Sequence, residues 1–358
     1  MPPSRSTGAS SWSSAAPCAC RAAAAPIRSG PLAAACWWRA PPTRATARPC
    51  SGWADHRPAR SWHAEQTASR ALDDYGGRVL RFSQVDVFSA APLLGNPVAV
   101  VHGADALSDE QMARFARWTN LSETTFLLAP SSSEADYRLW IFTPGGELPF
   151  AGHPTLGSAH AWLEHGGASR APDQVVQQCG AGLVVVRRRE RLAFAGPPLL
   201  RSGPVDPATL DRAAAAVGLQ AGDVVEAAWI DNGPGWLGLL LRDADAVRAC
   251  RLDAGLAGGL MIGVVGVGPG PGPGGGADRE VEVRAFCPSI GVPEDPVTGS
   301  LNAGIASWLA GSRLPLSYVA TQGRALGRRG QVHVDVVDGV VWVGGDTLTT
   351  VRGEVDLG

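Results

Sequence analysis

The sequence predicts an α/β protein of two structurally similar halves, each a set of short strands around one apolar helix. Three observations predict this. The run His153-Pro154-Thr155-Leu156-Gly157-Ser158 returns as Asp295-Pro296-Val297-Thr298-Gly299-Ser300, with Pro, Gly and Ser repeated at one offset of 142 residues (154 to 296, 157 to 299, 158 to 300). Residues 79–358 halve into two units of 140, close to that offset. Each copy also opens a segment of small and apolar residues: Leu156, Ala159 and Ala161 in one, Leu301, Ala303, Gly304, Ile305 and Ala306 in the other. A helix apolar most of the way round is normally buried, and a sheet wrapped around it would bury it. Pro just inside a helix start, behind a polar residue, is a common N-terminal arrangement, so each copy is expected to begin a helix. Helix N-termini present free N–H groups and partial positive charge. Two such ends facing each other across a cleft would hold a carboxylate.

The elements follow in order. Residues 79–88 alternate apolar and polar as a strand does. Gly95-Asn96, between Pro92 and Pro97, marks a turn, and 98–102 is a short buried-type strand. Ser108, with Gln111 three residues on, forms a capping box; Met112, Phe115 and Ala116 follow at helical spacing. Strands are expected at 126–128 and 137–143, then the first repeat helix. Residues 183–186 and 192–194 read as a hairpin. Asp206-Pro207 opens a helix with Leu210, Ala213, Ala214 and Val217 on one face, closed by Gly218. Strands follow at 229–230, 237–241, 260–267 and 281–286, then the second repeat helix. A hairpin around Asp338-Gly339 closes the chain. Within the Pro/Gly run 268–276, the letters G-x-G-x-x-G are no dinucleotide site, because two prolines and the missing helix remove its context.

Residues 1–78 stand apart, with ten Arg against four acidic residues; the remaining 280 carry 21 basic and 29 acidic. No apolar period persists there, and no secretory h-region is present. A transit peptide fits an Arg- and Ser-rich leader; translated upstream DNA ahead of a later start, or plain disorder, fits it better. The segment is set outside the fold.

Overall charge is close to neutral, 31 basic against 33 acidic residues with a pI near 6.4, which gives no reason to expect nucleic acid or an anionic membrane. No run approaches the ~18–20 apolar residues a membrane span requires; the expected location is the cytoplasm. Every basic residue other than His is Arg. Without Lys, pyridoxal Schiff-base chemistry, Schiff-base aldol chemistry and a P-loop are closed. Cys18, Cys20, Cys36 and Cys50 lie in the leader; Cys179, Cys250 and Cys287 are scattered and read as small buried hydrophobes. No cysteine or histidine cluster has zinc-ligand spacing. No metal and no cofactor are therefore expected.

Three runs in order carry a family resemblance: Asn120-Leu121-Ser122-Glu123-Thr124-Thr125-Phe126; then 142–155, with Pro144-Gly145-Gly146 and Ala151-Gly152-His153-Pro154-Thr155; then Glu294-Asp295-Pro296-Val297-Thr298-Gly299-Ser300. Gln322-Gly323 and Gly344-Gly345-Asp346 extend it toward the end. Together they resemble the phenazine-biosynthesis PhzF-like family over about residues 80–358. The resemblance implies the diaminopimelate-epimerase-like fold: two pseudo-symmetric domains, at 79–200 and 201–339, each a strongly curved, mostly antiparallel sheet around a central helix. The last strand, near 340–358, would return to the first domain. It also implies a homodimer and a cofactor-independent isomerase acting on a small carboxylate.

Matched by position, Glu123 is the family's general acid/base, and His153 and Asp295 assist catalysis. Gly152, Thr155, Gly299 and Ser300 are expected to contact substrate. The residue chemistry agrees. A carboxyl group shielded from water has a raised pKa and both donates and accepts a proton near neutrality. His153 relays a proton or donates a hydrogen bond, and Asp295 orients His153 or a substrate amine. Singly, these residues are ordinary: a solvated Glu, a helix-capping His, a turn Asp before Pro. His102, His160, His165 and His333 are left as structural or exposed. A racemase of this fold would need a thiol at each helix start, and Cys287 lies eight residues before Asp295 with no partner thiol. A non-catalytic metabolite or protein binder would have no need of Glu123, His153 and Asp295 together.

Overall fold

The computed structural model describes residues 79–269 and 279–358. The leader and most of the Pro/Gly run lie outside them; Gly268 and Pro269 close a strand. The first half comprises β1 (Val79–Val87), β2 (Asn96–Val101), α1 (Asp109–Thr119), β3 (Thr124–Leu128), β4 (Tyr137–Thr143), β5 (Gly146–Leu148), α2 (Gly152–Glu164), β6 (Gln174–Cys179), β7 (Gly182–Arg188) and β8 (Leu192–Ala195). The second comprises β9 (Arg201–Pro204), α3 (Pro207–Ala216), β10 (Val224–Asp231), β11 (Trp236–Leu241), α4 (Ala244–Ala249), α5 (Ala254–Ala257), β12 (Met261–Pro269), β13 (Arg279–Cys287), β14 (Val292–Asp295), α6 (Gly299–Leu309), β15 (Ser317–Gln322), β16 (Gly330–Val337) and β17 (Val340–Gly345). The last strand, β18 (Thr347–Asp356), pairs antiparallel with β1.

The fold is mixed α/β and rich in strands. Neighbours run β18-β1-β2-β3-β4-β6-β7-β8 and continue through β17-β16-β15-β13-β12-β11-β10-β9. Taken from β18 and from β9 toward the β8–β17 junction, both series give one pairing order: antiparallel, antiparallel, parallel, antiparallel, parallel, antiparallel, antiparallel. β5 lies against β4 as β14 lies against β13. The two halves are therefore pseudo-symmetric. α2 packs on β1, β2, β3, β6, β7, β8 and β18, and α6 on β10, β11, β16 and β17, so each sheet curves around its own helix. Leu156, Ala159 and Ala161 of α2 and Leu301, Ala303 and Ile305 of α6 are fully buried in one continuous core.

The repeat has a different register from the one the letters suggest. α2 begins at Gly152 behind Ala151, so Pro154 lies in its first turn; α6 begins at Gly299 behind Thr298, so Pro296 lies ahead of the helix. The helix starts are 147 residues apart (152 to 299), not 142. The second half has lengthened the approach with a 3-10 turn, Pro288–Ile290, before β14. Gly157 and Gly304 are paired by the same 147. A Cβ on Gly157 would stand 2.4 Å from Val98 Cγ1, and one on Gly304 2.6 Å from the carbonyl oxygen of Ile230. Those contacts are to β2 and to β10, the counterpart of β1.

The strongly patterned elements lie where periodicity puts them. Ser108 and Gln111 form the capping box, the Asp206 side chain accepts from Thr209 N, and Asp338 and Gly339 both take positive φ, 52° and 78°, in the last hairpin. A strand at β6 was not expected, because QVVQQC carries little alternation. Among the described residues, no helix is long and apolar enough to cross a membrane.

Gly157→Ala and Gly304→Ala each force a methyl into packed strand atoms. Each is expected to cost about 1–3 kcal/mol, read as a lowered calorimetric Tm; an unchanged Tm in both would show that the helix–sheet contact has slack.

Candidate active site at the seam

The two central helices meet at their N-termini. A Cβ on Gly299 would lie 3.5 Å from Gly152 Cα, and the fully buried Phe194 ring occupies the space beside both. Its Cζ would stand 2.5 Å from a Cβ on Gly152 and 3.0 Å from one on Gly299. Only glycine lets the ends come this close. Neither helix has a side-chain cap, so first-turn N–H groups at both ends stay without that partner.

Glu123 reaches this place through a short turn. α1 ends at Asn120 in the left-handed region (φ 54°, ψ 27°), and a hydrogen bond of 2.8 Å between the Thr119 and Thr124 hydroxyls spans the turn. Glu123 then sits at the mouth of β3. Its Oε2 lies 3.2 Å from His153 Nε2, the second residue of α2, and the two side chains are 15% and 6% exposed. The approach lacks hydrogen-bond geometry, so both atoms are buried without a hydrogen-bond partner among the described residues.

Burial acts on both groups. The Glu123 carboxyl is pushed up to about 8, first by desolvation and second by the charge of Asp295. Desolvation pushes the His153 imidazole down to about 3. Although close enough for an ion pair, the two are a carboxylic acid beside a neutral imidazole at neutral pH. Desolvation also raises Asp295, to about 6, against hydrogen bonds that favour its anion. Those bonds come from the Thr298 hydroxyl at 2.5 Å and from Asn96 Nδ2 at 3.1 Å.

Asn96 joins the halves. Its Nδ2 lies 2.9 Å from the Val297 carbonyl and 3.3 Å from His153 Nδ1, besides donating to Asp295. The Asp86 carboxylate accepts from the backbone N–H groups of Leu94 and Gly95 and so folds the turn that aims Asn96. Gly95 is required there, since a Cβ would stand 2.2 Å from Val87 O. On the other side Gln322 donates to Asp295 O and Thr298 Oγ1 and accepts from Thr298 N and Asn302 Nδ2.

The structure thus brings Glu123, His153 and Asp295 together, with Gly152, Gly299 and Ser300 at the helix ends. The Ser300 hydroxyl accepts from Trp236 Nε1 at 3.0 Å, which leaves its own proton free to donate. Thr155 is buried further along α2, where its hydroxyl accepts from Gln177 Nε2 at 3.1 Å. Asn96, Phe194, Trp236 and Gln322 were not singled out for the site. Asn96 read as a turn residue and its partner is 199 positions away, which no local pattern carries. His160 does have polar company, bonding Thr347 and Thr349 of β18, and its role is to fasten that strand to α2.

Two pseudo-symmetric curved halves closed on central helices, with polar groups gathered where the helix ends meet, define a protein of the epimerase-like fold class. Residues 85–354 match the family described as phenazine biosynthesis-like protein, and the chain belongs to that family of isomerases. It is 36% identical over 300 residues to antisense-enhancing sequence 1 of Schizosaccharomyces pombe, covering 76% of this chain and 97% of that one. It is 34% identical over 280 residues to an uncharacterized isomerase of Pseudomonas aeruginosa, covering 78% and 99%. A shorter match, 56% identical over 81 residues, is to the trans-2,3-dihydro-3-hydroxyanthranilate isomerase of the same organism, covering 23% and 29%. The crystal structure of a PhzF-family phenazine biosynthesis protein from Enterococcus faecalis has a TM-score of 0.63 at 25% identity, covering 78% and 99%.

The raised Glu123 pKa has a stability consequence. Folded, this carboxyl keeps a proton that the unfolded chain releases above its ordinary 4.5, so its contribution is full below about 4.5 and is lost as pH rises to about 8. Glu123→Gln has no such loss. The stability of the variant relative to the parent, from urea denaturation, should rise across that window and level off above it; a difference independent of pH would contradict the buried carboxyl.

Proposed function

We propose that the seam moves a proton between two carbons of a small unsaturated amino or hydroxy carboxylate, with Glu123 as the general acid/base. The observation that carries this reading is the sealed Glu123–His153 contact beside Asp295. A carboxyl group poised near 8 is available both as base and as acid close to neutral pH, the range in which general acid/base catalysis works best. The substrate carboxylate would rest on the N–H groups of Gly152, His153, Gly299 and Ser300, where the helix ends favour an anion. The Ser300 hydroxyl would donate alongside them.

The step balances without any further reactant. Glu123 as carboxylate takes the proton from one carbon, the double bond shifts, and the same carboxyl returns a proton to the new position. His153, neutral and in reach of Glu123, holds the carboxyl in place or relays the proton. Asp295, kept in position by Thr298 and Asn96, would face a substrate amine. The trans-2,3-dihydro-3-hydroxyanthranilate isomerase match supports an amino carboxylate of this general kind. Glu123 Oε2 and His153 Nε2 are both buried, while the Glu123 side chain as a whole keeps 15% of its surface exposed. A partner in the form of a second copy of the chain remains part of this reading from the family resemblance.

Glu123→Gln keeps the shape and removes the proton carrier. Turnover should fall by about 10²- to 10⁴-fold while substrate binding persists. His153→Ala and Asp295→Asn should raise KM as well as lower kcat. Solvent deuterium should appear in the product, to an extent set by how well the seam excludes water. Full turnover in Glu123→Gln would remove the proposed base.

A further inference from the structure

The second half carries a pocket on the face of its sheet away from the seam. Side chains alternate along a strand, and at the end of β15 Gln322 turns inward to Asp295 and Asn302 while Thr321 turns the other way. Thr321 stands in the ladder between Glu282 of β13 and Gln331 of β16. It lines a cavity of about 590 Å³ together with Glu280, Arg324, Arg328, Arg329 and Gln331. Thr321 is 5% exposed, and its Oγ1 has no hydrogen-bond partner among the described residues. A buried hydroxyl without a partner costs about 1–3 kcal/mol, so its position calls for a reason.

The charges sort into two groups. The acids of the floor are matched: Arg248 and Arg324 both reach Glu280 at 2.5 Å, and Arg324 reaches Glu282 at 3.1 Å. The 323–329 loop adds Arg328 and Arg329, and among the described residues neither has a carboxylate within ion-pair distance. Arg328 Nη1 donates to Leu93 O and Arg329 N to Leu94 O, so both are anchored by the turn of the first half. The result is a concave site with ion-paired acids, two guanidinium groups without a carboxylate, and a buried Thr321 hydroxyl and Glu282 Oε1 that lack hydrogen-bond partners among the described residues. Guanidinium forks match the oxygens of a phosphoryl group.

We propose that this pocket binds a phosphoryl oxyanion, held by Arg328, Arg329 and the Thr321 hydroxyl, at a site separate from the seam. The volume suits a small phosphorylated metabolite as well as a free phosphate. The full chain titrated calorimetrically with pyrophosphate at fixed ionic strength should show one saturable site. Thr321→Val, and Arg328→Ala with Arg329→Ala, should each weaken Kd by about tenfold or more, with melting curves verifying that both variants fold. Ser300→Ala, at the helix ends, should leave Kd unchanged. Adenosine monophosphate in the same titration separates the sources: tighter binding than pyrophosphate assigns a phosphorylated metabolite, and weaker binding assigns free phosphate. No saturable binding, equal binding in the pocket variants, or loss in Ser300→Ala alone would overturn the proposal.

Discussion

Everything in the site depends on two helix N-termini being pressed together. Each carries roughly half a positive charge, and Gly152 and Gly299 let them approach to van der Waals contact beside Phe194. That arrangement opposes itself electrostatically, and the usual relief is withheld at both ends. Ala151 has no side chain to cap with, and Thr298 directs its hydroxyl to Asp295 while Gln322 takes its N–H. The surrounding sheets hold the ends in place, since each helix is enclosed on most sides by its own strands. Asp295 supplies the nearest negative charge, and its bonds to Asn96 and Thr298 keep it there despite the cost of burial.

The polar groups around the ends form two populations. Asp295, Thr298, Gln322, Asn302 and Asn96 bond to one another across both halves, and these bonds fix their positions in a low-dielectric setting where an unpaired group is expensive. Glu123 and His153 are the contrast: the atoms facing each other are buried, yet they lack a hydrogen bond. Among the described residues the network leaves only Asn96 Oδ1 and Asn302 Oδ1 without partners, whereas Glu123 and His153 face each other unbonded; on the proposed reading that pair is where the proton moves. The pKa shifts run in opposite directions there. Burial disfavours charge on either group, and the anion of Asp295 then penalises a second carboxylate, so the proton resides on Glu123.

How much could be read from the chain follows from the range of each interaction. Capping at Ser108 and Asp206 and the Asp338-Gly339 turn are decided within a few residues, and composition shows them. Glu123, His153 and Asp295 could be proposed from the sequence because each lies in a run of recognisable letters. Asn96 was not, because its importance lies in contacts reaching Val297 at a separation of 201 residues. The apparent repeat at 142 shows the opposite hazard. Pro and Gly mark backbone events, but the event at Pro154 is a helix turn and that at Pro296 is the end of a strand approach. The true register of 147 is set by Gly152 and Gly299 against Phe194 and by Gly157 and Gly304 against their strands, and those are constraints of close packing that no pair of letters announces.

In that register His153 corresponds to Ser300, each the second residue of its helix. A scaffold with two-fold character has thus been equipped asymmetrically: a group able to carry a proton faces Glu123 on one side, and on the other stands a hydroxyl whose oxygen is held by Trp236. Chemistry that inverts a carbon needs a base on one face and an acid on the opposite face, and matched thiols at equivalent helix starts would provide them. Here the equivalent positions differ, and Cys287, beside Asp295, is a buried thiol pushed far above its usual range by desolvation. It is therefore a poor nucleophile and a poor base. On the proposed reading, one-sided equipment suits one-sided chemistry, in which a single carboxyl removes a proton and returns it to a neighbouring position on the same face. On the same reading the second helix serves by binding, since both helix ends would hold the one carboxylate.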